Sequence, residues 1–288
     1  MTKLADTSAG RFVKALIDAW NTDQPARLAA SLAYFSMFSL APAIFVAVTV
    51  AGIFIDELAA ASQIFARLER TVGPETAQFI YEIVVNVSES GTTGSPLASL
   101  ISFGALLYAS TGVFANLKYS LNTIWGVPLA EYSGVIAFIK TRLLAFVLVI
   151  GLGFVLVLAA FSSLIVSVVS SVLDVSSLVW AGSAVTSVIL LAVSLALIYR
   201  ILPDTHVAWR DVWLGAAVTA LLIRLGTGLV GIYFQISNPA AAFEAAGTLA
   251  VVLIAIYYLA QIFLFGAIFT KVYASMFGSR ARPVSEQE

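Results

Sequence analysis

Long apolar runs, each separated from the next by a short polar or charged segment, dominate this chain. A helix rises 1.5 Å per residue, so about 20 mostly apolar residues cross the hydrocarbon core of a bilayer. Six stretches meet this condition: Leu28–Ile55, Pro96–Leu117, Ile139–Val169, Leu178–Leu202, Val212–Phe234 and Phe243–Tyr273. The pattern therefore predicts an all-α fold, a polytopic membrane protein with six transmembrane helices.

The segment before the first span has a different pattern. Phe12, Leu16 and Trp20 recur every four residues, while Arg11 and Lys14 fall on the opposite side of the same helix. Such an amphipathic helix in a membrane protein is expected to lie flat at the membrane interface. The alternative is a helix packed on a cytoplasmic loop.

These patterns divide the chain into three regions. Residues 1–27 form a cytoplasmic N-terminal segment, residues 28–276 the six-helix transmembrane domain, and residues 277–288 a flexible cytoplasmic tail. Between spans one and two, Glu57–Arg70 and Pro74–Ser88 predict a short external helical pair. The glycine and proline between them suit the end of one helix and the first turn of the next.

Positive charge is distributed unevenly between the two sides of the predicted membrane. Twelve of the fifteen lysines and arginines flank the spans on the side of the N-terminus: Lys3, Arg11, Lys14, Arg27, Lys118, Lys140, Arg142, Arg200, Arg210, Lys271, Arg280 and Arg282. Only Arg67 and Arg70 lie on the other side, and Arg224 lies within a span. Basic residues are retained on the cytoplasmic side, so both termini are predicted to be cytoplasmic.

Composition narrows the range of functions. The chain is 60% hydrophobic and 11% charged, against about 25% charged for a typical soluble domain. It has no cysteine, one histidine and a net charge of −1, so it offers no thiolate or His-rich metal site and no global basic field for nucleic acid. Because the catalytic motifs GxSxG, HExxH, GxGxxG and the P-loop are also absent, we expect a protein that is not an enzyme and has no cofactor.

Polar residues gather on one side of the first span. Ser31, Tyr34, Ser39 and Pro42 fall within an arc of about 140° on a helical projection. Pro42 has no N–H, so the carbonyl of Phe38 loses its usual partner. One interpretation is close helix packing, in which small hydroxyls and a bend set the shape of the bundle. The other is a face that lines a hydrated or headgroup-filled cavity.

Among the residues of the predicted spans, Arg224 has the highest free-energy cost of insertion into the membrane. Near the middle of span five, its charge costs about 2.5–3.5 kcal/mol on insertion scales. By depth, Glu244 at the outer end of span six is the nearest carboxylate. We therefore expect Arg224 to face the bundle interior, a partner or a cavity. The alternative is an interfacial arginine that snorkels to the headgroups.

Three amides complete the cavity or substrate-path candidates. Asn116 and Asn122 lie at the end of span two, and Gln261 lies in span six. The two asparagines can instead cap the helix end or hydrogen-bond a neighbouring cytoplasmic loop.

Four segments carry a family resemblance. They are Ala29–Val46 (AASLAYFSMFSLAPAIFV), Ser120–Val127 (SLNTIWGV), Leu202–Trp209 (LPDTHVAW) and Gly247–Ala274. Together they resemble the YihY/BrkB family of bacterial inner-membrane proteins, formerly mislabelled ribonuclease BN. The resemblance implies six spans in the bacterial inner membrane and a role in envelope integrity, serum resistance or the movement of lipids or solutes.

The chain departs from the family pattern at charged positions. The glutamate that follows Gly-Ala in the family is Ile268, and a frequent lysine of span five is Thr227. A mechanism that depends on those two charges does not transfer, and Arg224 and Glu244 become candidates to supply them.

Two functions follow from these observations. The leading hypothesis is a non-enzymatic transporter of lipid, another amphiphile or a solute across or within the inner membrane. The alternative is a structural or assembly factor for envelope integrity that acts through protein partners. Membrane lipids are the expected partners and envelope proteins are further candidates, while the oligomeric state stays open.

Overall fold

The structure is a computed structural model that describes residues 7–52, 65–66, 69, 77–78, 81–82, 112–128, 143, 176–237 and 247–280. Its helices are α1 (Ser8–Asp23), α2 (Pro25–Gly52), α3 (residues 112–124), α4 (Ser176–Ile201), α5 (Trp209–Ser237) and α6 (Gly247–Met276). These ranges contain no strand. The prediction of an all-α fold is confirmed for this part of the chain.

Four predicted spans coincide with observed helices. The first, fourth, fifth and sixth spans agree with α2, α4, α5 and α6 to within about one helical turn at each end. Within the described ranges, Trp209–Gly228 and Ala250–Met276 are long and apolar enough to cross a membrane, and Val185–Ile201 is a shorter apolar stretch. The second span is described only from residue 112 and the third only at residue 143. The six-span topology therefore stays a prediction.

The external helical pair lies mostly outside the described residues. Residues 65–66, 69, 77–78 and 81–82 are helical, and the rings of Phe65 and Tyr81 meet edge to face with centroids 4.8 Å apart. These few positions agree with two helices in contact but do not define their lengths.

The break between α1 and α2 follows from local sequence. The Thr7 hydroxyl accepts a hydrogen bond from the Gly10 N–H and caps the start of α1. Gln24 adopts a left-handed conformation (φ 46°) that ends the helix. Pro25 then opens α2, where its missing N–H costs no hydrogen bond. A single residue, Gln24, is enough to separate the amphipathic helix from the first span.

The aromatic side of α1 packs on the C-terminal half of α6. The ring of Phe12 lies 5.3 Å from that of Phe269, and Trp20 lies 5.9 Å from Phe265. At the end of α1, the Asp23 carboxylate pairs with Lys271 Nζ at 2.8 Å. The predicted helix is thus present, but its aromatic residues contact a helix of the protein, which neither expected placement included.

The edge of α1 that carries Val13 and Ile17 is exposed. Val13 and Ile17 are 54% and 55% exposed. This edge is the part of α1 that remains available to the membrane interface.

The chain divides into two compact units. The first comprises Met1–Ala26, Leu117–Arg224 and Gln261–Glu288, and the second Arg27–Asn116 and Leu225–Ala260. In the first unit the buried core includes Tyr199, Leu202, Val212, Leu264 and Ile268; in the second it includes Ala29, Leu32, Ala33, Val251 and Val252.

Candidate functional site

The first unit brings together two of the segments that carry the family resemblance. We call the group the signature cluster: Lys118, Asn122 and Trp125 in or just after α3, Asp204 and Thr205 in the loop between α4 and α5, and Arg280 after α6. The turn at Gly126 (φ 68°) closes α3, with the Val127 N–H bonded to the Asn122 carbonyl. It sets the direction in which the chain leaves the cluster.

A buried ion pair forms the centre of the signature cluster. Lys118 Nζ lies 2.8 Å from Asp204 Oδ2. Asn122 Nδ2 donates to the same carboxylate at 3.1 Å, and the Asp204 N–H donates to Asn122 Oδ1 at 2.8 Å. Lys118 is 4% exposed and Asn122 is 1% exposed. Charge pairing and reciprocal hydrogen bonds offset the cost of removing these groups from water, so the centre of the cluster fixes the loop to α3.

The residues after α6 close the signature cluster from the other side. Arg280 Nη2 donates to Thr205 Oγ1 at 2.5 Å and to the His206 carbonyl at 2.7 Å. The guanidinium carbon lies 4.9 Å from the centroid of the Trp125 ring, within the range of a cation–π contact. Three separate segments therefore meet at one arginine.

A second contact holds the same terminal segment. The Asp211 carboxylate accepts bonds from the Ser279 N–H at 3.1 Å and from the Ser279 hydroxyl at 2.6 Å. Asp211 is 2% exposed. Residues 277–280, assigned from the sequence to a flexible tail, thus contact α5 and the preceding loop, while residues 281–288 lie outside the described residues.

Beside the cluster, α5 and α6 interlock through two Gly-x-x-x-Thr segments. Thr219 Oγ1 donates to the Gly215 carbonyl at 2.6 Å, and Thr270 Oγ1 donates to the Gly266 carbonyl at 2.7 Å. A Cβ atom added at Gly215 would overlap the Thr270 hydroxyl, and one added at Gly266 would overlap the Thr219 hydroxyl. Each glycine makes room for the other helix's threonine, so the helices run antiparallel in close contact.

Tyr199 ties α4 to this interlock. Its hydroxyl donates to the Phe263 carbonyl at 2.6 Å and lies 3.3 Å from Thr219 Oγ1. Tyr199 is 1% exposed. The phenol of Tyr199 therefore has hydrogen-bond partners on both neighbouring helices, as a buried hydroxyl requires.

The predicted polar face of α2 divides into inward and outward members. Asn116 Nδ2 donates to Ser31 Oγ at 2.8 Å. Ser39 is buried, and its hydroxyl bonds the Ser36 carbonyl of its own helix at 3.1 Å. Tyr34 is 57% exposed. Helix packing accounts for Ser31 and Ser39, whereas Tyr34 is the one among the three described side chains of this face that is exposed at the surface.

Two further features concern the candidates Asn116 and Pro42. The Asn116 Oδ1 atom is buried without a hydrogen-bond partner among the described residues, so this amide keeps one acceptor unused. The helix α2 continues through Pro42, whose side chain lies outside the described residues, and a bend there stays a prediction.

Arg224 lies at mid-length of α5, the sixteenth of its 29 residues. The residue is exposed, as are Leu221 (55%) and Leu225 (59%) on the same face. The expected positions of Arg224, facing the bundle interior, a partner or a cavity, and the snorkelling alternative stay predictions. Glu244, its expected partner, lies outside the described residues. Gln261, the last candidate, is half-buried in α6.

Most of the site's interactions could not be read from the sequence. For Asn122, helix capping and a bond to a neighbouring loop were both open from the sequence, and the structure shows the bond to a loop. Lys118 was counted as one of several interfacial charges, and nothing near it pointed to Asp204. Among the described residues, no group of histidine, aspartate and glutamate side chains could hold a metal ion.

Comparison with known proteins agrees with the resemblance of the signature segments. A sequence profile described as "Virulence factor BrkB" matches residues 16–288. A UPF0761 membrane protein of Idiomarina loihiensis is 27% identical over 265 residues, which cover 90% of this chain and 89% of that protein. A UPF0761 membrane protein of Verminephrobacter eiseniae is 33% identical over 93 residues, 32% of this chain and 22% of that protein.

No solved structure gives a significant match to the chain. The family profile nevertheless begins within the amphipathic helix and includes the signature cluster and the interlocked helices. The chain is therefore a membrane protein of the BrkB family.

Proposed function

We propose that the protein is a non-enzymatic transport protein that moves lipid or another amphiphile across or within the bacterial inner membrane. The observation that carries the proposal is the exposed Arg224 at mid-length of α5, between the exposed Leu221 and Leu225. The membrane around an exposed charge on the apolar face of a helix supplies headgroups and water that interact with that charge.

The energetics favour a role in lipid movement. A central arginine costs about 2.5–3.5 kcal/mol on insertion scales, and snorkelling, local thinning of the bilayer and water defects lower that cost. Each of these responses draws headgroups and water toward the middle of the membrane beside α5. A lipid headgroup that crosses there meets a planar donor able to bind two phosphate oxygens at once. The barrier to its passage is lower along this face than through an undisturbed bilayer.

The remainder of the first unit supports α5 in this role. The Gly-x-x-x-Thr interlock and the Asp211–Ser279 bonds fix the buried side of α5. A fixed α5 keeps Arg224 at a constant depth in the membrane. If α5 could move along the membrane normal, Arg224 could shift to the interface.

The test uses the full chain reconstituted into vesicles of phosphatidylethanolamine and phosphatidylglycerol with a trace of fluorescent phospholipid. The rate at which the label becomes accessible to dithionite measures movement between leaflets. We expect wild type to accelerate this rate, Arg224→Lys to reduce it, and Arg224→Leu to abolish it. Arg27→Leu, which removes an exposed arginine at the start of α2, is the matched control and should keep the wild-type rate.

Two outcomes would contradict the proposal. Full activity of folded Arg224→Leu would make Arg224 a snorkelling residue without a role in transport. Wild-type vesicles no faster than protein-free ones would reject lipid transport and favour the alternative, a structural or assembly factor. Size-exclusion chromatography and circular dichroism check that each variant is folded.

A further inference from the structure

Charge is segregated around the loop between α4 and α5. His206, Arg210 and Arg280 are exposed and Arg200 is half-buried. The two carboxylates of the same segment point inward: Asp204 pairs with Lys118, and Asp211 binds Ser279. The surface is therefore cationic although the segment contains both signs. We call Arg200, Arg210 and Arg280 the basic rim.

Exposed apolar side chains adjoin the basic rim. Trp209, Trp213 and Leu214, in the first turns of α5, are 46%, 45% and 40% exposed. The Arg200 guanidinium carbon lies 5.9 Å from the Trp209 ring centroid. These residues begin the candidate span Trp209–Gly228, and tryptophan beside arginine at the end of a span is typical of the headgroup level of a membrane.

Arg280 is held in place before any ligand arrives. The Phe277 and Gly278 N–H groups both bond the Tyr273 carbonyl, and the Arg280 N–H bonds the Ala274 carbonyl. Its side chain stacks over Trp125, and both of its hydrogen bonds to the loop use Nη2. The other guanidinium nitrogens suit an anionic oxygen, and a fixed side chain loses little entropy on binding.

We propose that the basic rim binds the phosphate headgroup of an anionic phospholipid, with the acyl chains along Trp209, Trp213 and Leu214. Lipid is favoured over a soluble phosphate because the cations adjoin exposed apolar side chains. This inference does not depend on the transport proposal. Arg224 lies in the middle of α5, whereas the basic rim lies near the first turn of α5.

The test measures thermal unfolding of the full chain in a non-ionic detergent. Dioctanoyl phosphatidylglycerol is titrated, with dioctanoyl phosphatidylcholine and inorganic phosphate as comparison ligands. We expect a saturable rise in Tm with phosphatidylglycerol alone, weakened by added salt because the contacts are exposed and charged. Binding is read without vesicles, so its failure is distinguishable from failure of transport.

Variants locate the binding. Arg280→Gln should lower the affinity for phosphatidylglycerol about tenfold, as expected for loss of a charge-assisted hydrogen bond. Because Arg280 also holds Thr205 and the loop, Arg200→Gln and Arg210→Gln test the rim without removing that anchor, and each should weaken binding. Arg27→Gln is the control and should bind as wild type.

The result that would overturn the proposal is equal stabilisation by phosphatidylcholine or by inorganic phosphate. Unchanged phosphatidylglycerol affinity in both Arg200→Gln and Arg210→Gln would also overturn it.

Discussion

At the residue scale, the Lys118–Asp204 pair joins α3 to the loop between α4 and α5 in the signature cluster. Lys118→Met leaves the Asp204 carboxylate without its cation, and breaking a buried pair costs about 3–5 kcal/mol. We expect a clear fall in Tm in detergent for Lys118→Met and for Asp204→Asn. The double variant should lose less than the two single losses combined, because the residues act as a pair.

The Lys271–Asp23 pair supplies the control for that experiment. The Lys271 side chain is 32% exposed, against 5% for Lys118. Its partner Asp23 is 9% exposed, so this pair is only partly open to solvent. Because the solvent still reaches the Lys271 ammonium group, Lys271→Met should lower Tm by less than Lys118→Met. Strictly additive losses at Lys118 and Asp204, or an equal loss at Lys271, would contradict the importance assigned to the buried pair.

The same pair shows how far individual residues can be interpreted from sequence. Asn122 was recognisable as a residue that could bond a neighbouring loop because an amide at a helix end needs a partner. Asp204 lies 82 residues away along the chain, and no periodicity links two positions at that separation. For Arg224 the sequence likewise leaves several positions open, since hydropathy reports the depth of a residue but not the direction of its side chain.

At the scale of elements, the glycines of the interlock should be intolerant of substitution. Gly266→Ala places a Cβ against Thr219 and within 2.6 Å of the Tyr199 hydroxyl. Overpacking of this kind costs about 1–3 kcal/mol, so Tm should fall. Gly228→Ala is a matched control on α5, because a Cβ there meets nothing within 4 Å and alanine is the better helix former. Equal stability of the two variants would contradict close packing of α5 on α6.

Pro42 tests the first span. Pro42→Ala restores an N–H that can bond the Phe38 carbonyl, and a proline inside a helix costs about 3 kcal/mol. We expect a higher Tm together with slower lipid movement in the vesicle assay, because a residue that costs stability inside a helix is expected to serve function. Higher Tm with an unchanged transport rate would assign Pro42 to the shape of the helix alone.

The elements themselves were largely predictable. Length and apolar content located α2, α4, α5 and α6 to within about one turn, and the four-residue spacing of Phe12, Leu16 and Trp20 located α1. The partner of α1 was not predictable, since an amphipathic face meets a lipid surface or a protein surface with the same sequence pattern. The Gly-x-x-x-Thr segments become informative only when the two helices are seen side by side.

At the scale of the whole molecule, basic residues concentrate in one of the two compact units. Among the described residues, Arg11, Lys14, Lys118, Arg200, Arg210, Arg224, Lys271 and Arg280 all belong to the first unit. Arg27, the remaining one, is the first residue of the second unit. This segregation agrees with the count of flanking charges, which assigns both termini to the cytoplasm.

Reporter fusions test the orientation and the number of spans together. Fusions at Gly94 and Asn238 should report an external position, and fusions at Glu131 and His206 a cytoplasmic one, because each pair of neighbouring sites is separated by one or two predicted spans. Activity of a periplasmic reporter at the first two sites and of a cytoplasmic reporter at the other two is the expected result. A cytoplasmic signal at Gly94 would contradict the assignment, since the external side is defined by the scarcity of basic residues between spans one and two. It would also move the basic rim to the external surface, where the anionic lipid of the inner leaflet could not reach it.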